Sequence, residues 1–279
     1  MNESRASLKM TNLVVSSLIS YPLKSARGIE HTSMQLNHLG PELDRRWMVI
    51  DPKGKFITQR KVSQMCLIQT SLNDDGLVIS AAGAGQCEVP KGGNSSLSSS
   101  VWGSDVIGED CGDHAADWLS NFLGKKCRII YMPSTYQRLV DINYANNSEQ
   151  VGFADGFPLL IATQSSLDDF NTHIDFNIEM NRFRPNIVIS GNHAWAEDNW
   201  RTIEINGIQL KLPKPCSRCI MPSVNPNTAE RQMEINSALL AHRRGEDKRT
   251  YFGQNAVYNK LGSIKVGDSV EIIDTQESS

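Results

Sequence analysis

The apolar positions of this chain fall mostly into short runs rather than long stripes. Leu13–Ile19, Arg46–Asp51, Cys66–Thr70 and Leu77–Ala81 are brief, rich in Val, Ile and Leu, and punctuated by Gly, Pro, Asn and Asp. That is the pattern of strands joined by turns. Asp51-Pro52-Lys53-Gly54 reads as a turn with proline in its second place. Gly83-Ala84-Gly85 reads as a hairpin loop, and Gly92–Ser100 as a low-complexity loop. A helical period first appears over Asp110–Gly124. There Ala115, Trp118, Leu119, Phe122 and Leu123 make one apolar stripe, and Gly124 with Lys125 and Lys126 closes it. A strand, Arg128–Met132, follows.

Residues 133–150 are polar and show no period, so a boundary is placed there, between domains spanning 12–132 and 137–275. Beyond it a second helix is expected over Thr163–Ile174, with Ser165 as cap and Leu167, Phe170 and Ile174 on one face. Asn186–Ser190, Ile208–Leu212 and Lys265–Ile273 read as strands, and Glu234–Arg244 as a third helix. Residues 1–11 are polar and expected to fray. No internal repeat is visible. The pattern supports a β-rich α+β chain in two parts with a few helices.

Composition narrows the function classes. At ~150 residues per domain, 279 residues suit two domains. Lys and Arg number 28 against 31 Asp and Glu, a net charge of −3. That argues against a broad nucleic-acid-binding surface but leaves room for a local basic pocket. Six cysteines are too few for a disulfide scaffold, which suits a reducing, cytoplasmic setting. The apolar stretch Leu13–Leu23 is interrupted by Ser16, Ser17, Ser20 and Pro22. It is too short and polar to span a membrane, and no small-residue cleavage site follows it.

Several motifs are missing. There is no G-x-x-x-x-G-K-[ST] phosphate loop and no G-x-S-x-G elbow, and Gly83-Ala84-Gly85 lacks the third glycine and helix of a dinucleotide fingerprint. The histidines form no H-x-x-x-H pair, which disfavours a zinc hydrolase. His114 and His173 fall on expected helices as surface or core residues.

The most informative segment is Lys214-Pro215-Cys216-Ser217-Arg218-Cys219-Ile220-Met221-Pro222. As half a zinc site it lacks a second ligand pair, because Cys66, Cys87, Cys111 and Cys127 are scattered. As a redox pair it lacks a helix, because Pro222 and Pro226 interrupt any regular one. As a single thiolate ligand to a soft metal it has Arg218 nearby as a counter-charge. The plain alternative is two buried cysteines on a strand. Basic residues also recur at strand ends: Lys24-Ser25-Ala26-Arg27-Gly28, Arg45-Arg46, Arg60-Lys61, and Arg182 with Arg184 before Pro185-Asn186. If they converge, Lys, Arg and Ser beside a glycine suit a phosphate.

These segments, taken in order, resemble the MOSC family in its form with an N-terminal MOSC β-barrel domain. The matching pieces are Tyr21-Pro22-Leu23-Lys24-Ser25, Asp44-Arg45-Arg46-Trp47, Asp110-Cys111-Gly112, Phe183-Arg184-Pro185-Asn186-Ile187, Ala196-Glu197-Asp198, Cys216-Ser217-Arg218-Cys219 with Asn225-Pro226-Asn227-Thr228, Phe252-Gly253-Gln254 and Lys265-Val266-Gly267-Asp268. In character the chain is similar to mitochondrial amidoxime reducing components and bacterial N-hydroxylated-base reductases. The resemblance implies an N-terminal MOSC-type β-barrel domain followed by a MOSC β-barrel domain with peripheral helices. It implies a molybdenum cofactor whose metal takes Cys219 as its protein ligand. Lys24, Ser25, Arg45 and Arg184 are then expected at the cofactor phosphate, and Asn186, Ser217, Arg218 and the loop Asp155-Gly156-Phe157 at the pterin. Asp198 is a candidate proton-relay or supporting catalytic group.

The implied reaction is reduction of a small N-hydroxylated compound to the amine and water. The alternative is a sulfur carrier with a persulfide on Cys219 or Cys216. Two positions depart from the family pattern: Arg46 stands where relatives often carry an aromatic, and Gly156 where some carry Ala. The C-x₄-C-x₂-C spacing of a plant-type [2Fe–2S] domain is absent. Electrons are therefore expected from a separate ferredoxin-like or flavin protein, with no membrane anchor and no nucleic-acid partner.

Overall fold

The structure, a computed structural model, describes residues 12–145 and 149–276. The expected fraying of residues 1–11 lies outside that range. The chain is β-rich α+β as expected, with many short strands and the helices α1 (Asp113–Leu123), α2 (Gln164–Asn171) and α3 (Glu234–His242).

The largest sheet has eight strands. Its order is Val270–Thr275, Trp200–Ile205, Ile208–Arg218, Thr250–Tyr258, Leu159–Thr163, Ile187–Ser190, Val14–Ser20 and Ile29–His31. Pairing is antiparallel except between Leu159–Thr163 and Ile187–Ser190, which run parallel on either side of α2. Leu18, Ile161, Ile187, Ile189, Ile203 and Leu210 form its dry core. Two strands from the front of the chain join strands from its end: Val14–Ser20 pairs with Ile187–Ser190, and Ser33–Asn37 with Gly262–Lys265. The first part keeps its own four-stranded and three-stranded sheets, and α1 packs with them around Leu23, Trp47, Ile79, Leu119 and Ile129.

The helices obey their sequence signals. Gly124 ends α1 in the left-handed conformation (φ 61°), the geometry glycine adopts without strain. Thr163, rather than Ser165, caps α2, its hydroxyl accepting from the Ser166 amide at 3.4 Å. His173 lies just past α2 and stacks on His242 of α3, ring centroids 3.8 Å apart.

Four strand expectations are corrected. Ser96–Val101 is a strand paired with Ser104–Asp110, not part of a loop. Its serines carry little strand propensity, and cross-strand pairing supplies the order instead. Cys66 sits in a 3₁₀ turn, Ser63–Leu67, and the strand begins at Gln69. Lys265–Ile273 is two strands, broken by a turn in which Gly267 takes φ 93°. Ile208–Leu212 continues to Arg218. Pro213 and Pro215 hid that continuation, since proline cannot donate to a ladder. The pairing register shifts at Lys211/Lys214 and at Pro215/Ser217 to accommodate them.

Glu197 is fully buried in front of α2. Its Oε2 accepts from Ser166 Oγ at 2.9 Å and Thr163 Oγ1 at 3.0 Å, while Oε1 has no partner. Burial pushes this carboxyl up from the ordinary range, against the pull of those two hydroxyls. A raised carboxyl favours the folded state while it is protonated, and that contribution is lost as pH rises. We expect wild-type stability, relative to Glu197→Gln, to fall by about 1.4 kcal/mol per pH unit above about pH 4.3, until the raised folded-state value is passed. Urea melts of both proteins across pH read this directly. Parallel stability profiles for the two would contradict it.

Candidate active site

The Ile208–Arg218 strand carries Cys216 to the mouth of a cleft, and Cys219 follows just past the strand end. Strand pairing is irregular here. Pro215 faces Gln254 and Ser217 faces Tyr251, so the partner strand bulges at Phe252-Gly253. Gly253 takes φ 76°, and a Cβ there would lie 2.6 Å from the Ile161 carbonyl. Bulges bend the strand that carries them and recur beside sites, and this one lies opposite Cys216. Cys219 is exposed, Cys216 is half-buried, and the other four cysteines are buried; all six are free thiols. The alternative of two buried strand cysteines is thereby overturned. Arg218 Nη1 lies 2.9 Å from Cys216 Sγ, and Nη2 donates to the Phe183 carbonyl at 2.9 Å.

The opposite wall is basic. Lys24, Ser25, Arg45 and Arg184 all line the cleft. Nine described non-glycine residues have positive φ, and three of them are in this set: Ser25 (76°), Arg45 (46°) and Arg184 (57°). Each such residue costs of order 1–3 kcal/mol, and clusters of them belong to functional sites. Between the two arginines lies the Tyr21 ring, with the Arg45 guanidinium 4.4 Å and the Arg184 guanidinium 4.1 Å from its centroid. Burial pushes the Tyr21 phenol up to about 12, and it donates to the Pro185 carbonyl at 3.1 Å. Burial pulls Arg184 down to about 10, so it remains a cation at neutral pH.

Asn186 and Asp44 hold this wall. Asn186 Oδ1 accepts from Arg45 Nη1 at 3.0 Å and from the Leu160 amide at 3.2 Å, and its Nδ2 donates to Ile19 O at 3.0 Å and to Asp44 Oδ1 at 3.2 Å. Asp44 Oδ2 pairs with Arg45 at 2.6 Å. Lys24 Nζ donates to the Phe153 carbonyl at 2.7 Å and to Asp155 Oδ1 at 2.6 Å. The Lys24 ammonium beside it holds the Asp155 carboxyl well below the usual range. The Asp155 side chain is 61% exposed, so it is free to turn outward.

Asp155, Gly156, Phe157, Asn186, Ser217, Arg218 and Cys219 line the same cleft as the basic set. A Cβ on Gly156 would meet nothing within 4 Å, so an alanine at this position fits as well. Two residues lie elsewhere. Asp198 faces away from the cleft, where it pairs with Arg243 at 2.5 Å and accepts from Gln254 Nε2 at 3.0 Å. Arg46 is buried against Tyr131, its Nε donating to the Met132 carbonyl at 2.8 Å. The aromatic-to-arginine departure is therefore outside the cleft. Arg60, one of the basic residues expected to converge, also lines the cleft, as do Thr58 and Asn255, which the sequence did not mark. A lone Thr and a lone Asn carry no signal in the sequence.

The donor set suits a phosphate-bearing organic cofactor with a soft metal. Ammonium, guanidinium and hydroxyl groups converge from one side, and an accessible thiol from the other. Among the described residues no group of three or more His, Cys, Asp or Glu side chains is placed to hold a metal ion. A metal at Cys219 would take its remaining ligands from the cofactor.

Comparison with known proteins extends this geometry. Residues 12–126 match the MOSC N-terminal beta barrel domain, and residues 148–271 match the MOSC domain. The chain is 32% identical to mitochondrial amidoxime-reducing component 1 of Mus musculus, covering 93% of this chain and 82% of that protein. It is 33% identical to mitochondrial amidoxime reducing component 2 of Bos taurus, covering 92% and 82%. With component 1 of Homo sapiens the identity is 32%, over 93% and 82%.

The bulge depends on the glycine at its centre. Gly253→Ala introduces both a positive-φ penalty and a backbone clash. It should lower unfolding free energy by about 1–3 kcal/mol, read by chemical denaturation. An unchanged midpoint would show that the bulge relaxes freely.

Proposed function

The chain belongs to the MOSC family that includes the mitochondrial amidoxime-reducing components, and on that basis we propose that it is a molybdenum-cofactor-dependent reductase of N-hydroxylated compounds. The observation that carries the reading is the convergence of exposed Cys219 with Lys24, Ser25, Arg45 and Arg184 on one cleft. The names of the relatives support reduction of an N–O bond. Net, R–NH–OH takes up two electrons and two protons and leaves as R–NH₂ and water.

When bound, the molybdenum on its pyranopterin dithiolene supplies the two-electron chemistry. Every other contribution belongs to the protein. Cys219 provides the thiolate ligand. Lys24, Ser25, Arg45 and Arg184 hold the phosphate through charge-assisted hydrogen bonds. Asn186, Ser217 and Arg218 offer polar contacts to the fused heterocycle, and Phe157 an apolar edge. The enclosed part of the cleft measures about 130 Å³, less than a pyranopterin fills. The Lys24–Asp155 bridge spans it, and outward rotation of the exposed Asp155 carboxylate frees the Lys24 ammonium for phosphate. Cys219, at the open end, is where a small substrate arrives. Electrons come from a separate carrier of the ferredoxin-like or flavin type. No role is assigned to Asp198, which is committed to Arg243 and Gln254.

The test is metal and pterin content of protein purified from a host that makes the cofactor. Near-stoichiometric molybdenum with fluorescent pterin, and reduction of an amidoxime, is the expected result. Cys219→Ala should cut activity at least 100-fold with the unfolding temperature within a few degrees of wild type. Lys24→Met should lower retained pterin by about tenfold or more, the cost of losing one buried charge-assisted contact. Absence of both metal and pterin, with a cyanide-releasable sulfur on Cys219 or Cys216, would replace this reading by a sulfur carrier.

A further inference from the structure

Behind the basic wall lies a second cavity, enclosing about 500 Å³. Three chain segments separate it from the cleft, and each places side chains on both sides. Ser25 lines the cleft while Arg27 lines the second cavity. Thr58 and Arg60 line the cleft while Gln59, between them, lines the second cavity. Arg182 faces the second cavity, Phe183 the cleft, and Arg184 borders both.

The polar groups of this cavity are not used up by the protein. Gln59 is 5% exposed, and its side-chain amide has no hydrogen-bond partner among the described residues. That amide opens onto the cavity and is free to meet a bound acceptor. Arg184 commits only Nη1, to the Ala26 carbonyl at 2.7 Å, leaving Nε and Nη2 open. Arg182 adds positive charge but spends its nitrogens on the Pro222 carbonyl and the Gln232 amide oxygen. The acidic residues, Glu30 and Glu179, are exposed at the rim, where Glu179 already accepts from Asn181 Nδ2 at 2.7 Å. Ile19, Val188 and Val224 supply buried apolar wall. A cationic and amide-bearing floor, an apolar side and this volume match a small-molecule site, for which 300–1,000 Å³ is usual.

We propose that the second cavity binds a small organic oxyanion, a carboxylate or a phosphate ester, whose acid group meets Arg184 and the Gln59 amide while its carbon body lies against Ile19, Val188 and Val224. The site shares Arg184 with the cleft, so it uses a guanidinium nitrogen that the cleft leaves open, while Gln59, Ile19, Val188 and Val224 line the far side of the partition alone.

Calorimetric titration of the full-length protein as purified, its cleft occupant in place, tests this with succinate, adenosine 5′-monophosphate, adenosine and inorganic phosphate. Saturable one-site binding of succinate or of the monophosphate is expected, and which of the two binds identifies the acid. Adenosine should bind at least tenfold more weakly than its monophosphate. Gln59→Leu should weaken the binding about fivefold or more. Ser17→Trp, which projects an indole into the cavity from the Val14–Ser20 strand, should abolish it. If Ser17→Trp does not fold, Gln59→Leu decides alone. No binding of either organic anion at millimolar concentration overturns the proposal. So does binding that Gln59→Leu leaves unchanged, or binding of inorganic phosphate only.

Discussion

One buried polar knot holds the site together. Asp44 is 3% exposed and Asn186 1% exposed. Between them they take the Tyr21 amide, the Arg45 guanidinium, the Leu160 amide and the Ile19 carbonyl. Those partners come from the Val14–Ser20 strand and its exit, the loop before Trp47 and the Leu159–Thr163 strand, and Asn186 itself leads into Ile187–Ser190. Burying a carboxylate is costly unless it is paired and hydrogen-bonded. Burial pushes the Asp44 carboxyl up, against the pull of Arg45 and the donors around it. Displacing any one partner would leave that group unsatisfied in a dry interior. The knot therefore sets where Arg45 points, before any ligand is considered.

The rest of the site is strain anchored by that knot. Ser25, Arg45 and Arg184 sit in left-handed backbone that their side chains disfavour. Each is braced locally: Arg45 N donates to the Tyr21 carbonyl at 2.9 Å, and Phe153 N to the Arg45 carbonyl at 2.7 Å. The Tyr21 ring spaces two guanidiniums that would otherwise repel, offering its face to both. On the other wall the Gly253 bulge lies opposite Cys216 in the paired strand. A basic, preorganised wall thus faces an accessible thiol, and three of its segments also form the floor of the cavity behind.

Much of the fold was legible because its signals are local. Runs of Val, Ile and Leu between turn residues marked most strands, and the Ala115–Leu123 stripe with Gly124 marked α1. The misreadings arose where a neighbour overrode the local signal. Ser96–Val101 is a strand because Ser104–Asp110 pairs with it, not because serine favours extension. The Ile208–Arg218 strand runs through two prolines because its pairing register shifts around them. Arg46 looked like a pocket residue beside Arg45, yet the left-handed turn at Arg45 separates the directions of the two side chains, and Arg46 packs on Tyr131 instead. Asp198 could be placed in a chemical class from its neighbours in sequence, but not in a location.

Residue identity and order were enough to establish the class of the fold, the thiol-bearing segment and the basic segments suited to an anion, because spacing and side-chain chemistry are written along the chain. Convergence was not. Lys24 and Cys219 are brought to one cleft by pairings between the front of the chain and its end, and long-range pairing leaves no mark in local composition. The second cavity is still less visible from the chain, since Gln59 differs from Thr58 and Arg60 only in the side of the wall it faces. That side is decided by packing, where backbone direction and the shape of neighbouring elements determine which groups meet.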